Sequence, residues 1–145
     1  MQAIFLEEYG GPEVLTLGDV PHPTPQANEV LVRVHAAALN PLDLELRKGR
    51  LRWLTPGRLP LVPGCDFAGV IEAVGERVRG WRKGEAVYGM TRTRQAGAYA
   101  ELLSIKAVEL GRMPAGLTFL EAATLPLAAL TALQALRDLG KLQAG

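Results

Sequence analysis

Short apolar runs separated by glycine and proline fill residues 1–117 of this 145-residue chain. Runs of this length between turn-forming residues are typical of strands in a small barrel or sandwich, whereas a doubly wound sheet needs helices between its strands. The clearest run extends from Glu29 to Leu39, where Val30, Val32 and Val34 alternate with other residues. Alternation places the three valines on one face of a strand. The sequence therefore predicts a mainly β fold with a few helices.

The same pattern predicts six further strands, each bounded by glycine, proline or a charged turn. They are Ala3 to Leu6, Val14 to Leu17, Phe67 to Val74, Glu85 to Tyr88, Tyr99 to Leu103 and Ala107 to Leu110.

A first helix is predicted over Pro41 to Lys48. Asn40 is a good residue for the cap position, and Pro41 stands where a missing amide costs nothing. Asp43 falls in the first turn, where the helix dipole favours a carboxylate. Gly49 then supplies the left-handed residue that usually ends a helix.

Residues 118–145 are predicted to be helical, and a boundary is placed near residue 117. The segment from Thr118 to Glu121 reads as a capping box, in which a hydroxyl and a carboxylate satisfy amides of the first turn. Pro126 divides the stretch, and Gly140 marks its end. Leucines recur between them at three-residue steps, as expected of an apolar helix: Leu127, Leu130, Leu133 and Leu136.

Charge and cysteine content exclude several classes of partner. With 16 basic and 15 acidic side chains, the chain has no charge excess to attract nucleic acid or an anionic membrane. Cys65 is the single cysteine, which rules out an intrachain disulfide and fits a reducing compartment. No stretch approaches the ~20 apolar residues of a membrane span, and no signal peptide is evident. We therefore expect a soluble, cytoplasmic protein.

Several motifs follow one another in a characteristic order: NPLD at 40–43, PGCDFAGVI at 63–71, the stretch 72–78 and GAYAE at 97–101. In order and spacing they resemble the medium-chain dehydrogenase/reductase superfamily. LPLAALTALQAL at 125–136 is similar to the quinone oxidoreductase branch, and the resemblance covers essentially the whole chain.

The resemblance implies a GroES-like (chaperonin-10-like) β-barrel catalytic domain over residues 1–117. Residues 118–145 would then be the helical start of a Rossmann cofactor domain. No glycine-rich phosphate turn between a strand and a helix is found in the sequence, and such a turn is what holds the pyrophosphate. We therefore expect the chain to stop before the Rossmann domain and to be inactive, without useful cofactor affinity, when isolated.

The resemblance also implies a reductase without zinc. Zinc-dependent relatives bind the catalytic metal through cysteine, histidine and a second cysteine, and the first two positions match Asn40 and Cys65. Asparagine is a poor zinc ligand, and one thiolate is far from three protein ligands. The four-cysteine lobe of structural zinc sites is missing as well.

Hydride addition from NADPH to a quinone or a conjugated enone is the expected reaction, because such acceptors spread the incoming charge without a Lewis acid. The resemblance places Asn40 and Asp43 at the catalytic centre and Asn40 and Thr131 at the nicotinamide. Each has a structural alternative: Asn40 as a helix cap, Asp43 as a first-turn carboxylate, and Thr131 bonded back to a carbonyl one turn earlier.

Three residues are candidates for substrate binding. Glu45 occupies a position that is often tyrosine in the branch, and its alternative role is an intrahelical pair with Lys48. Trp53 lies between Arg50, Arg52 and Arg58 in a variable loop over the cleft, where those arginines would guide an anionic acceptor; the alternative is solvated arginines and a tryptophan that covers part of the barrel or a partner surface. Cys65 beside Asp66 lacks the electropositive surroundings of a reactive thiol, so inert packing competes with a substrate contact.

Two hypotheses from different classes remain. In the first, the complete protein reduces a small-molecule quinone or enone and is a homo-oligomer. In the second, the chain is a noncatalytic GroES-like module that binds a ligand or a partner.

Overall fold

The computed structural model describes residues 1–53 and 59–143. Seven strands are found in this part of the chain: β1 Gln2–Phe5, β2 Thr16–Asp19, β3 Glu29–Ala37, β4 Asp66–Val74, β5 Ala86–Met90, β6 Leu102–Lys106 and β7 Leu110–Arg112. The helices are α1 Pro41–Arg47, α2 Phe119–Ala123 and α3 Pro126–Leu133, and a π-helical turn, Gln134–Leu139, follows α3 directly. The predicted mainly β fold is confirmed.

Five antiparallel strands form the main sheet in the order β6-β3-β4-β5-β7, and β1 pairs with β2 in a separate two-stranded sheet. Val30 and Val32 of β3 are completely buried, and Val34 packs against the same cluster. The alternation predicted for β3 is thus confirmed. Phe67 and Ile71 of β4 complete this core with apolar residues of β5 and β6.

Two predicted strands begin too early. Residues Pro12–Val14 form a 3-10 turn, and β2 starts only at Thr16, because a proline has no amide to donate and favours the first position of a turn. Residues 99–101 precede β6 and bond to β1 instead: Tyr99 O accepts from Ile4 N at 2.8 Å, and Glu101 N donates to Gln2 O at 3.1 Å.

The last predicted strand, Ala107 to Leu110, is also wrong in position. Residues Ala107–Glu109 form a second 3-10 turn, and β7 covers Leu110–Arg112. The turn redirects the chain from β6, at one edge of the main sheet, to β7 at the other edge. Apolar residues alone do not separate such a turn from a strand.

Local signals for the helices are confirmed. Pro41 begins α1, and Gly49 lies beyond its end with a φ of +75°. At α2, Thr118 N donates to Glu121 Oε2 at 2.8 Å, and Glu121 N donates to Thr118 Oγ1 at 3.3 Å. Pro126 separates α2 from α3, as predicted.

The two C-terminal helices differ in what they bury. Ala122 and Ala123 of α2 pack on Ala36 and Ala68 of the sheet. On α3 and the π-helical turn, by contrast, the side chains of Leu130, Leu133, Leu136 and Leu139 are 43 to 82% exposed. The boundary near residue 117 remains a prediction.

Candidate active site

Asn40 occupies the cap position between β3 and α1, in extended backbone conformation. Its N–H donates to Asp43 Oδ2 at 2.8 Å, which closes the first turn of α1. Its side-chain Nδ2 donates to Asp66 Oδ2 at 3.2 Å. Asn40 is therefore the cap residue of α1, and its amide group is held by a carboxylate of another element.

Asp43 is a buried first-turn carboxylate with 3% exposure. Besides Asn40, the hydroxyl of Tyr99 donates to its Oδ2 at 3.3 Å. Burial raises the pKa of this carboxyl, and hydrogen bonds from Asn40, Cys65 and Tyr99 offset the rise in part. The first-turn role that the sequence favours for Asp43 is thus present, and the carboxyl also belongs to the cluster around Asn40.

Asp66, the first residue of β4, was not among the predicted site residues. It is completely buried, and its Oδ2 accepts from Asn40 Nδ2 and, at 3.1 Å, from Leu127 N in α3. Burial raises the pKa of its carboxyl, and the bonds from Leu127 and Asn40 work against the rise. The signal in the sequence that could have identified it is an acidic residue directly before the apolar run 67–71, since a carboxylate among apolar residues is buried only when it is paired.

Cys65 is fully buried as well. Burial, followed by the negative charge of Asp43, raises the pKa of its thiol to about 12. A thiol in these surroundings is protonated and slow to react. This placement favours the packing alternative for Cys65 over a substrate contact.

Tyr99 is the second functional candidate that is absent from the predicted site residues. Its hydroxyl lies 3.3 Å from both Asp43 Oδ2 and the carbonyl oxygen of Ala38. The ring packs on Gly64, where a Cβ atom would lie only 2.4 Å from Tyr99 Cδ1 and where φ is +91°. Burial and the charge of Asp43 raise the pKa of the phenol. The signal in the sequence that could have identified Tyr99 is its position in the GAYAE motif at 97–101.

We call Asn40, Asp43, Cys65, Asp66 and Tyr99 the polar cluster. Glu45 lies outside it: its carboxylate pairs with Lys48 at 3.4 Å and with Arg50 at 3.0 Å. The hydrogen bond from Arg50 lowers the pKa of Glu45. The predicted intrahelical pair with Lys48 is therefore present.

The two remaining candidates are exposed. Trp53 has 71% of its surface in solvent, and Arg58 of the same loop lies outside the described residues. Thr131 is exposed on α3, and its hydroxyl makes no hydrogen bond within residues 1–53 and 59–143. The alternative in which Thr131 bonds back to a carbonyl is thus not adopted.

Metal ligands do not converge in the part of the chain that the structure describes: no group of three histidine, cysteine, aspartate or glutamate side chains is placed to hold an ion. The described helices are also too short or too polar to cross a membrane.

A family model for the alcohol dehydrogenase GroES-like domain matches residues 26–133. A quinone oxidoreductase from Lama guanicoe is 41% identical over 94% of this chain and 40% of its own length. A 2-methylene-furan-3-one reductase from Solanum lycopersicum is 38% identical over 97% of the chain and 38% of its own length. The chain thus spans about two fifths of the curated relatives it matches.

Solved structures agree with these relatives. The quinone oxidoreductase from Coxiella burnetii superposes with a TM-score of 0.90 at 37% identity, over 95% of this chain and 44% of that one. The Escherichia coli quinone oxidoreductase complexed with NADPH superposes with a TM-score of 0.87 at 30% identity, over 96% and 41%.

Proposed function

The chain belongs to the alcohol dehydrogenase GroES-like domain family, and on this premise we propose that it is the substrate-side part of an NADPH-dependent reductase of quinones or conjugated enones that works without zinc. In this proposal residues 1–117 form the catalytic domain and residues 118–145 lead into the cofactor domain. The observation that carries the proposal is the polar cluster, in which two buried carboxylates hold Asn40 at the start of α1.

Asn40 is suited to act on a carbonyl oxygen. One N–H of its side-chain amide is directed at Asp66, and an amide has a second N–H to donate. Because the residue is only half-buried, this second donor is available to an acceptor oxygen on which negative charge develops. Fixed donors of this kind stabilise the transition state without having to reorganise.

The cofactor fits the residues on α3 and α1. Thr131 presents a hydroxyl that is unengaged within the described residues, so it offers a donor to a nicotinamide carboxamide, and the side-chain oxygen of Asn40 offers an acceptor. When bound, NADPH supplies the hydride, and a proton from solvent completes reduction of the acceptor. The Escherichia coli structure complexed with NADPH supports the choice of cofactor.

The donor set does not fit catalytic zinc. Of the two matching positions, Asn40 is engaged with Asp66 and is a poor zinc ligand, which leaves Cys65 as a single thiol. A catalytic zinc site needs three protein ligands, and no group of three converges within the described residues. This supports an acceptor that needs no Lewis acid, and the relatives named quinone oxidoreductase and 2-methylene-furan-3-one reductase point to the same class.

The decisive experiment measures oxidation of NADPH by the complete polypeptide encoded by the reading frame that contains this chain, with a panel of quinones and enals. We expect turnover with at least one acceptor, and a strong loss of kcat in Asn40→Ala with no loss in Asn28→Ala, the matched change at an exposed asparagine. Failure to oxidise NADPH with every acceptor would sink the proposal and favour a noncatalytic binding module.

Three further expectations belong to the proposal. The 145-residue chain alone neither reduces acceptors nor binds NADPH at micromolar concentration, because it has no glycine-rich turn to hold the pyrophosphate. Calorimetric titration checks this. The complete protein is a cytoplasmic homo-oligomer, which fractionation and light scattering test.

A further inference from the structure

Asp66 joins three elements through a single buried oxygen. Its Oδ2 accepts from Asn40 at the start of α1 and from Leu127 in α3, which is 61 residues further along the chain. Its own backbone begins β4. We propose that Asp66 is a positioning residue, which fixes the Asn40 amide in one orientation and seats α3 so that Asn40 and Thr131 serve one cleft. The inference rests on the proposed function for its kinetic consequence only.

The orientation of the Asn40 amide follows from the chemistry of its partner. An ionised carboxylate accepts hydrogen bonds and donates none, whereas an asparagine amide has a donating and an accepting end. The NH2 end must therefore face Asp66, which leaves the oxygen and the second N–H in a defined direction. A neutral amide in place of Asp66 has a donating NH2 group as well as an accepting oxygen, so it can bond to either end of the Asn40 amide, and Asn40 would lose its single orientation.

The seat of α3 depends on Asp66 because the helix has no cap of its own. Leu125, at the cap position, has no side-chain acceptor, and Pro126 has no N–H. Leu127 therefore carries the first N–H of α3, and Asp66 accepts it. A helix N-terminus favours a negative charge, so the carboxylate supplies from β4 what Thr118 supplies locally to α2.

Thr131 follows Leu127 by four residues and lies on the same side of the helix. Fixing the N–H of Leu127 against Asp66 therefore fixes where Thr131 lies relative to Asn40. The two residues expected at the nicotinamide come from α1 and α3, and within the described chain Asp66 is the side chain that bonds to both helices.

The first test needs no activity. The chain has two asparagines, Asn28 and Asn40, so isotope-labelled asparagine gives two side-chain NH2 groups that NMR can follow, and the third group that each Asp→Asn variant adds is identified by its absence from the unchanged chain. Because a charge-assisted hydrogen bond is worth ~1.5–3 kcal/mol, Asn40 should exchange with solvent more than about tenfold more slowly than exposed Asn28. Asp66→Asn should bring the Asn40 rate close to that of Asn28, and Asp19→Asn, at an exposed aspartate, should change neither rate.

The second test uses the complete protein. Asp66→Asn should lower kcat on the order of tenfold or more, as loss of a supporting hydrogen bond does in other sites, with less effect on the acceptor KM. Asp19→Asn should leave both unchanged. If the role of Asp66 were only structural, Asp66→Asn would lower the stability of the protein and leave the exchange rate of the Asn40 side chain unchanged.

The outcomes separate the two proposals. The positioning role is overturned if the Asn40 side chain exchanges at the same rate in the unchanged chain and in Asp66→Asn. It is also overturned if the complete enzyme is active and Asp66→Asn leaves its kcat unchanged. If Asp66→Asn does not fold, the comparison of Asn40 with Asn28 in the unchanged chain decides, and equal rates overturn the role. If no acceptor is reduced at all, the proposed function fails. Slow exchange of the Asn40 side-chain NH2 group still supports the inference that Asp66 positions it.

Discussion

The polar cluster and the leucine face of the C-terminal helices are built in opposite ways. In the cluster, polar side chains at the start of α1, in β4 and in the segment before β6 are buried or half-buried and bonded to one another. The leucine face, formed by Leu130, Leu133, Leu136 and Leu139, leaves apolar side chains in solvent. Burying carboxylates costs free energy that an apolar core would not, and exposing leucines forgoes the free energy of burial. The cluster is thus held together within the described chain, with only two buried oxygens, Oδ1 of Asp43 and Oδ1 of Asp66, left without a hydrogen-bond partner, whereas the leucine face is uncovered.

The largest effect is expected where the cluster is packed most tightly, at Gly64. Alanine there places a Cβ 2.4 Å from the ring of Tyr99 on a residue with a φ of +91°. Backbone strain and overpacking add together, so Gly64→Ala should lower the free energy of unfolding by roughly 3 kcal/mol or more. Chemical denaturation monitored by circular dichroism measures the loss.

Gly80→Ala is the matched control, because Gly80 has a φ of +81° and nothing within 4 Å of a Cβ atom. It should cost about 1 kcal/mol, the price of the left-handed conformation alone. Equal losses at the two glycines would show that contact with Tyr99 contributes nothing and that the cluster is looser than its distances indicate.

A second test of the cluster uses pH. Burial raises the pKa of Asp43 above its ordinary 3.8, so the folded state holds more protons than the unfolded state from pH 3.8 upward. Its contribution to stability is therefore present below 3.8 and is lost as pH rises through the folded pKa. The free energy of unfolding of the unchanged chain, minus that of Asp43→Asn, should fall with rising pH.

The contribution of Glu121 to stability should depend on pH in the opposite direction. Hydrogen bonds from Thr118 lower the pKa of this exposed carboxylate below its ordinary 4.5. Its contribution is present above 4.5 and is lost as pH falls through the folded pKa, so the same difference taken with Glu121→Gln should rise with pH. Parallel slopes for the two variants would contradict the buried state of Asp43. Besides burial, the charge of Asp43 raises the pKa of Asp66, so Asp66 titrates lower in Asp43→Asn and adds to the falling difference.

What the sequence could predict follows from the range of each interaction. Gly49, the capping box at Thr118 and the alternation in β3 act within a few residues, and the structure confirms all three. The contact of Asp66 with Leu127 spans 61 residues, so local pattern contains no sign of it.

The candidate site was predictable only in part for the same reason. Asn40 and Asp43 are neighbours in one helix turn and were found together. Tyr99 reaches Asp43 across 56 residues, and its segment is predicted to be a strand because it is a short apolar run bounded by glycine. Glu45 was placed at the substrate by resemblance, yet its own neighbours, Lys48 and Arg50, engage its carboxylate.

A smaller effect is expected at the cap of α2, which joins the sheet to the leucine face. Thr118→Ala removes the acceptor for Glu121 N and a donor to Glu121 Oε2, and should cost about 1 kcal/mol of stability. Thr118→Ser keeps the hydroxyl and should restore most of the loss in denaturant titrations. If serine fails to restore it, the packing of the threonine methyl rather than the cap is responsible.

The smallest effect on stability is expected on the leucine face itself. Leu136 is 56% exposed in the π-helical turn, so Leu136→Lys should change the free energy of unfolding by no more than about 0.5 kcal/mol. Exposed apolar patches drive association, however, and the 145-residue chain should self-associate as its concentration rises. Static light scattering should show that Leu136→Lys weakens this association.

Leu17→Lys provides the control, because Leu17 is 70% exposed on β2 and belongs to the other sheet. If Leu17→Lys weakens association more than Leu136→Lys does, the associating surface lies on the β1-β2 sheet. The leucine face would then not be the surface that needs a partner.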